Sequence, residues 1–256
     1  MKNILFISLF FLSSYAFSQS IDHSLFTQIL KDHNYNGMVD YKKLQNDERL
    51  ETYLQYLSNV NPHNLKNNSE KIAYWINVYN AFTLKAIVDN YPIESINDLH
   101  TGGRIFGHIF STTVWDDEFI IINGKEYSLN DVEHKILRKE FKEPRIHFAI
   151  VCASISCPKL RYEAYTAGNL EHQLQDQAIQ FFNDETKNKF DKKNRVAELS
   201  KILDWFSEDF GKNEEEVLLF ASKFLTKDLQ KDIAENIDKW EIEYLSYNWD
   251  LNDHKN

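Results

Sequence analysis

The sequence predicts an α+β fold, a helix-dominated single domain with a small, mainly antiparallel sheet. Three observations carry this. Long stretches show apolar residues at helical spacing, led by Ile72, Trp75, Ile76, Tyr79, Phe82 and Thr83 on one broad face. Short strand-like runs are few, and they do not alternate regularly with the helices. Apolar residues make up 43% and aromatics 14% of the 256 residues, enough for a sizeable core and too much for a disordered chain.

The first residues, MKNILFISLFFLSSYAFSQS, read as a signal peptide over residues 1–18. Lys2 supplies the positive start, Ile4 to Leu12 the apolar run, and Ala16-Phe17-Ser18 the small residues before a cleavage point. The run is too short for a ~20-residue spanning helix. Residues 19–256 are then expected as one exported domain, periplasmic or extracellular, with no stable membrane insertion. The net charge of −10 and the lack of a basic stripe exclude nucleic acid and anionic membrane as natural partners.

Along the mature chain, Leu25 to Leu30 predicts a short helix ending near Asn34-Tyr35-Asn36-Gly37. A second helix carries Leu44, Leu50, Leu54 and Leu57 and breaks at Asn61-Pro62. Ser69 is the expected N-cap of a long helix that stops at Tyr91-Pro92. Residues 101–117 read as an irregular loop. Asn123-Gly124, flanked by Ile120–Ile122 and Lys125–Tyr127, predicts a hairpin, because both residues tolerate positive φ. Ser128 to Asp131 opens a helix through Arg138 with a capping-box pattern. Arg145 to Cys152 reads as a buried strand, 153–165 as a loop, and Leu170 to Phe182 as a helix. A small hairpin around Lys192-Lys193-Asn194, two or three helices and a last strand from Trp240 to Leu245 complete the chain.

The chemistry-bearing candidates cluster in three segments. Cys152 and Cys157, the two cysteines, are read as a structural disulfide, as a catalytic thiol at Cys157, or as a redox or metal-binding pair. His147 lies five residues before Cys152; on a regular strand the two would point to opposite faces. Glu133 falls inside the apolar stripe of Leu129, Val132, Ile136 and Leu137, where an acid must be paired or have a raised pKa. His134 and Arg138 are neighbours at i, i+4 on its flank. Asn77 and Asn80 share one face of the long helix, either as oxyanion donors or, twice as readily, as structural locks. Trp115-Asp116-Asp117 reads as a surface loop in preference to a cleft wall, with His100 and His108 nearby. No ligand spacing for zinc and no cofactor motif is present.

Taken together, these segments resemble the family catalogued as domain of unknown function 547 (DUF 547). The resemblance is carried by Gly37-Met-Val-Asp40-Tyr41, Ala73 to Ala81, Asn123-Gly124 with Ser128-Leu129, and Glu133-His134 through Arg138. It continues through His147-Phe-Ala149, Cys152-Ala-Ser154, Ser156-Cys157-Pro158, Leu199-Ser200, Trp205-Phe206, Asp209-Phe210-Gly211 and Tyr247 to Asn252. It implies a cysteine-peptidase-like or transglutaminase-like fold, or a loose redox label, and no settled activity. A papain-like thiol would open the long central helix, where this chain offers Asn77 and Asn80 instead.

Three functions are open at this point. The first is a thiol-dependent hydrolase or acyl-transfer enzyme acting on amide or ester bonds. In it Cys157 is the nucleophile, His147 or His134 the base, Glu133 the orienting acid, and Asn77 or Asn80 the oxyanion donor. The second is a non-catalytic module holding peptide or glycan in an aromatic cleft, with paired cysteines and a groove lined by Trp115 or Tyr79. The third is a redox protein with an exchangeable Cys152–Cys157 pair.

Overall fold

The computed structural model describes residues 21–99 and 113–255. The expected signal peptide and the His100, Gly102-Gly103, Gly107 and His108 part of the loop lie outside the described residues.

A 23-residue helix, Asn68–Asn90, organises the first half of the fold. From Ile72 to Leu84 every residue is buried, which is the pattern of a helix wrapped by neighbours on all sides. Its cap is Asn67, whose side chain accepts from the Glu70 N–H, so Ser69 sits inside the first turn and does not cap. Helices Ser24–His33 and Glu48–Ser58 pack near it and bury Phe26, Ile29, Tyr53 and Leu57. The predicted second helix is two pieces, Tyr41–Leu44 and Glu48–Ser58. The break comes where Asp47 accepts from the Arg49 N–H and starts a new helix.

The second half surrounds a separate aromatic core. Phe148, Phe181, Phe182, Phe210, Phe220 and Phe224 are all buried in it and pair at ring-centroid distances of 4.7 to 6.5 Å. Helix Leu170–Phe182, the helices Lys201–Trp205, Ser207–Phe210, Glu214–Ser222 and Lys227–Glu235, and one small sheet build it.

Strand content is divided among small sheets instead of one. Asn34–Tyr35 pairs with Met38–Val39, and Ile120–Ile122 with Lys125–Tyr127, both antiparallel. Asn123 and Gly124 take positive φ of 51° and 76° at the tip of the second hairpin, as the sequence predicts. Lys189–Asp191 pairs antiparallel with Val196–Leu199, but Glu241–Tyr244 joins that strand in parallel. The α+β class and the dominance of helix hold. The single mainly antiparallel sheet does not, because each hairpin packs on its own part of the helical body.

The segment expected as a buried strand over Arg145–Cys152 is a 3-10 helix, Pro144–Phe148, followed by a turn. Pro144 at its first position and the Glu143 side chain, which accepts from the Arg145 N–H, start a helical turn. A short all-apolar run cannot by itself separate a strand from a buried helical turn.

The chain ends as an extended strap. Leu251 bridges Ser154, Asp250 bridges Ser95, and Asp253 bridges Val39. Asn252 donates to the Gly37 carbonyl and accepts from the Tyr41 hydroxyl at 2.8 and 2.6 Å. Gly37 has φ of 94°, and a Cβ there would stand 2.7 Å from the Lys159 side chain, so this crossing needs glycine. No helix among the described residues is long and apolar enough to cross a membrane.

Candidate functional site

A cleft of about 200 Å³ opens where the two cores meet. Tyr79 of the central helix, Glu133 and Ile150 line one side of it. Ile202, Phe206 and Tyr247 line the other.

Glu133 arrives on an unusual turn. Ser128 and Asp131 form the expected reciprocal cap: the Asp131 N–H donates to Ser128 Oγ at 3.0 Å, and the Ser128 N–H donates to Asp131 Oδ2 at 3.3 Å. The chain then runs as a π-helix over Asp131–Leu137 before an α-helical turn at Arg138–Phe141. The wider turn keeps Val132, Ile136 and Leu137 in the core with Glu133 beside them. Only 9% of Glu133 is exposed. The Tyr79 hydroxyl donates to its Oε2 at 3.4 Å, and His147 Nδ1 stands 3.9 Å from its Oε1. Burial pushes its carboxyl up to about 7, and the charge of Arg138 only partly opposes this. The acid inside the apolar stripe is therefore protonated through much of the range below neutrality, and among the described residues no lysine or arginine bonds it directly.

His147 is 3% exposed and is held from its far side. Its Nε2 lies 2.6 Å from Asp209 Oδ2, and its ring stacks on Phe206 at 4.3 Å. Burial lowers its pKa, so the neutral ring donates from Nε2 to the carboxylate and leaves the Nδ1 lone pair towards Glu133. Burial acts to raise Asp209, but hydrogen bonds from His147 and Arg138 outweigh it and hold the carboxyl at about 2. Arg138 Nε donates to the same Asp209 oxygen at 2.5 Å. Arg138 Nη1 donates to His134 Nδ1 at 3.1 Å, since a guanidinium has no acceptor. That nitrogen of His134 is occupied, which removes it as a base on this side.

Cys152 and Cys157 are paired as a disulfide, and Cys157 is 5% exposed. A sulfur in that bond has no thiolate to attack with, so the expectation of Cys157 as nucleophile fails for this form of the protein. The bridged turn is tied to the C-terminal strap. Ile155 N–H donates to the Asp250 carbonyl at 2.8 Å, and Ser156 N–H to the Asn248 carbonyl at 3.1 Å. Tyr247 OH lies 3.2 Å from Cys152 Sγ and 3.0 Å from Ser154 Oγ. These bonds set Tyr247 and Trp249 in the cleft wall beside Trp205, with ring centroids 4.5 to 5.7 Å apart.

Asn77 and Asn80 each pin a buried turn. Asn77 donates to the Tyr165 carbonyl at 2.7 Å and accepts from the Tyr165 N–H at 2.9 Å. Asn80 donates to the Ala149 carbonyl and accepts from the Val151 N–H, both at 2.9 Å. Each carboxamide thus replaces a missing backbone partner for a buried turn, and neither residue lines the cleft. Trp115 lines the cleft, contrary to the surface-loop expectation, while Asp116 accepts from Asn130 Nδ2 at 2.8 Å.

Residues 62–182 match the model of a family described as a protein of unknown function, DUF547. The matched stretch covers a little under half of the chain. It takes in the central helix, Glu133, His147 and both cysteines, whereas the Gly37 turn, Asp209 and the aromatic strap lie outside the matched stretch. No curated protein and no solved structure matches the chain. The DUF547 stretch thus supplies the acid and the imidazole, and the chain beyond it supplies the carboxylate that holds the imidazole and much of the aromatic wall.

Proposed function

We propose that the protein is an exported hydrolase that works by acid–base chemistry, with Glu133 as the proton donor and His147, oriented by Asp209, as its partner. The observation that carries this reading is the pairing in the cleft of a buried, unbridged carboxyl with an imidazole whose other nitrogen is committed to Asp209. Groups of this kind, with pKa values pushed apart by their surroundings, are what bond cleavage at neutral pH needs. Glu133 gives its proton to the leaving heteroatom as the bond breaks. Water supplies the new bond, and its proton passes to the Glu133 carboxylate or to His147 Nδ1. The disulfide keeps the cleft wall in place. A cysteine-peptidase-like mechanism would need the reduced protein and has no oxyanion donor from Asn77 or Asn80. The paired cysteines and the Trp115 and Tyr79 lining also suit a binding module, which the same experiment separates.

The test is a panel of chromogenic glycosides, esters and anilides assayed with wild type, Glu133→Gln, and the Cys152→Ser/Cys157→Ser double variant. The expected result is turnover by wild type, a loss of roughly 100-fold or more in Glu133→Gln, and activity retained without the bridge. Turnover that depends on Cys157 and ignores Glu133 contradicts the proposal. Binding without turnover by any form leaves only the module.

A further inference from the structure

We infer that the cleft takes a neutral saccharide and that the bond cleaved is glycosidic. The inference rests on the acid–base reading of Glu133 and names its substrate.

Two sets of observations lead there. The first is what the site lacks for other bonds. Acyl transfer from an amide or ester needs a nucleophile or activated water together with donors for the developing oxyanion. Here the sulfurs are paired and both carboxamides are spent on backbone groups. An acetal makes no oxyanion. Its cleavage needs a proton on the bridging oxygen and tolerance of positive charge at the anomeric carbon. Glu133, buried in the cleft beside the His147 imidazole and with a carboxyl that stays protonated towards neutrality, suits that demand.

The second is the wall. Trp205 is 46% exposed, and its ring stacks on Trp249 at 5.7 Å and 24°, with Tyr247 tilted against both. Flat aromatic faces at the mouth of a cleft match the apolar faces of pyranose rings. Among the described residues no lysine or arginine lines the cleft, so it offers no fixed cation for a phosphate, sulfate or carboxylate. A neutral sugar is the ligand that fits both a stacking wall and a lining without a fixed cation.

In the reaction the Glu133 O–H proton goes to the glycosidic oxygen while the C1–O bond breaks, and the leaving sugar departs as an alcohol. The electron-deficient C1 takes the oxygen of water, whose proton returns to the Glu133 carboxylate. The net change is one water consumed per bond.

The experiment is isothermal titration calorimetry of chitotetraose, cellotetraose and maltotetraose against Glu133→Gln, with product analysis by mass spectrometry for wild type. The expected result is saturable binding of at least one tetrasaccharide, weakened about tenfold in Trp205→Ala and unchanged in the control Tyr162→Ala. Wild type shortens the same sugar with the gain of one water. Binding without shortening supports the saccharide and removes the acid–base reading. Failure to bind any of the three overturns the inference. If wild type then still cleaves esters or anilides through Glu133, the acid–base reading stands without it.

Discussion

His147 and Glu133 face each other across 3.9 Å, and the imidazole nitrogen on that side is the one left free by the bond to Asp209. Residues 14 positions apart on different helical turns thereby form one proton-handling unit, completed by an aspartate 62 positions further on. The account predicts how each part should respond to change.

Asp209→Asn removes the acceptor that fixes the His147 tautomer and the Arg138 guanidinium. Nitrogen-15 NMR of the imidazole should show Nε2–H in wild type and a changed tautomer mixture in the variant. Stability should fall by about 1–3 kcal/mol, because the buried His147 and the part-buried Arg138 lose their charged partner. An unchanged imidazole spectrum would remove Asp209 from the unit.

Asn77→Ala strips both hydrogen bonds from the Tyr165 backbone. A loss of about 2–4 kcal/mol in urea unfolding is expected, as for leaving a buried donor and acceptor unpaired. A stably folded variant that lost only activity would return Asn77 to an oxyanion role.

Reduction of the bridge should cost about 2 kcal/mol, the amount expected from reopening so short a loop. Iodoacetamide applied to the native, unreduced protein should label neither sulfur and leave activity intact. Labelling at Cys157 with loss of activity would favour a thiol enzyme.

Stability should depend on pH with opposed contributions. Glu133 is raised from 4.5 to about 7, so the folded state holds its proton more tightly than the unfolded one. Its contribution is full below about 4.5 and is lost as pH rises to about 7. Burial lowers His23 to about 4, so the unfolded state binds the proton more tightly and stability rises with pH from about 4 to 6.5. Burial lowers His147 and His134 as well, and both add to that rise. In Glu133→Gln the opposing fall is gone, so stability should climb more steeply with pH between about 4.5 and 6.5 than in wild type. A variant with the wild-type pH profile would show that Glu133 is not perturbed.

Much of the frame is legible in the sequence because local chemistry writes it. The Asn123-Gly124 turn, the Ser128–Asp131 cap and the Leu170–Phe182 helix follow from propensity and spacing alone. Glu133 is legible too, since an acid within an apolar stripe announces an unusual environment. The turn at Pro144–Phe148 is not, because an unbroken apolar run carries no period. The π-helical register at Asp131–Leu137 leaves no signature in residue spacing either. Asp209 and the Trp205, Tyr247 and Trp249 wall reach the cleft only through tertiary packing. Nothing near them in the chain marks them, and only the family resemblance included them. Asn77 and Asn80 stand out as carboxamides in a helix for a structural reason, the pinning of two buried turns.

The direct test is a carbon-13 NMR titration of the Glu133 carboxyl, assigned by its loss in Glu133→Gln. The account predicts a midpoint near 7, shifted upward in Tyr79→Phe, which loses the hydroxyl that donates to the carboxylate, and downward when Phe206→Ala lets water into the cleft. A midpoint near 4.5 in the wild-type protein would contradict it, because the cleft would then hold an ordinary carboxylate with no proton to give.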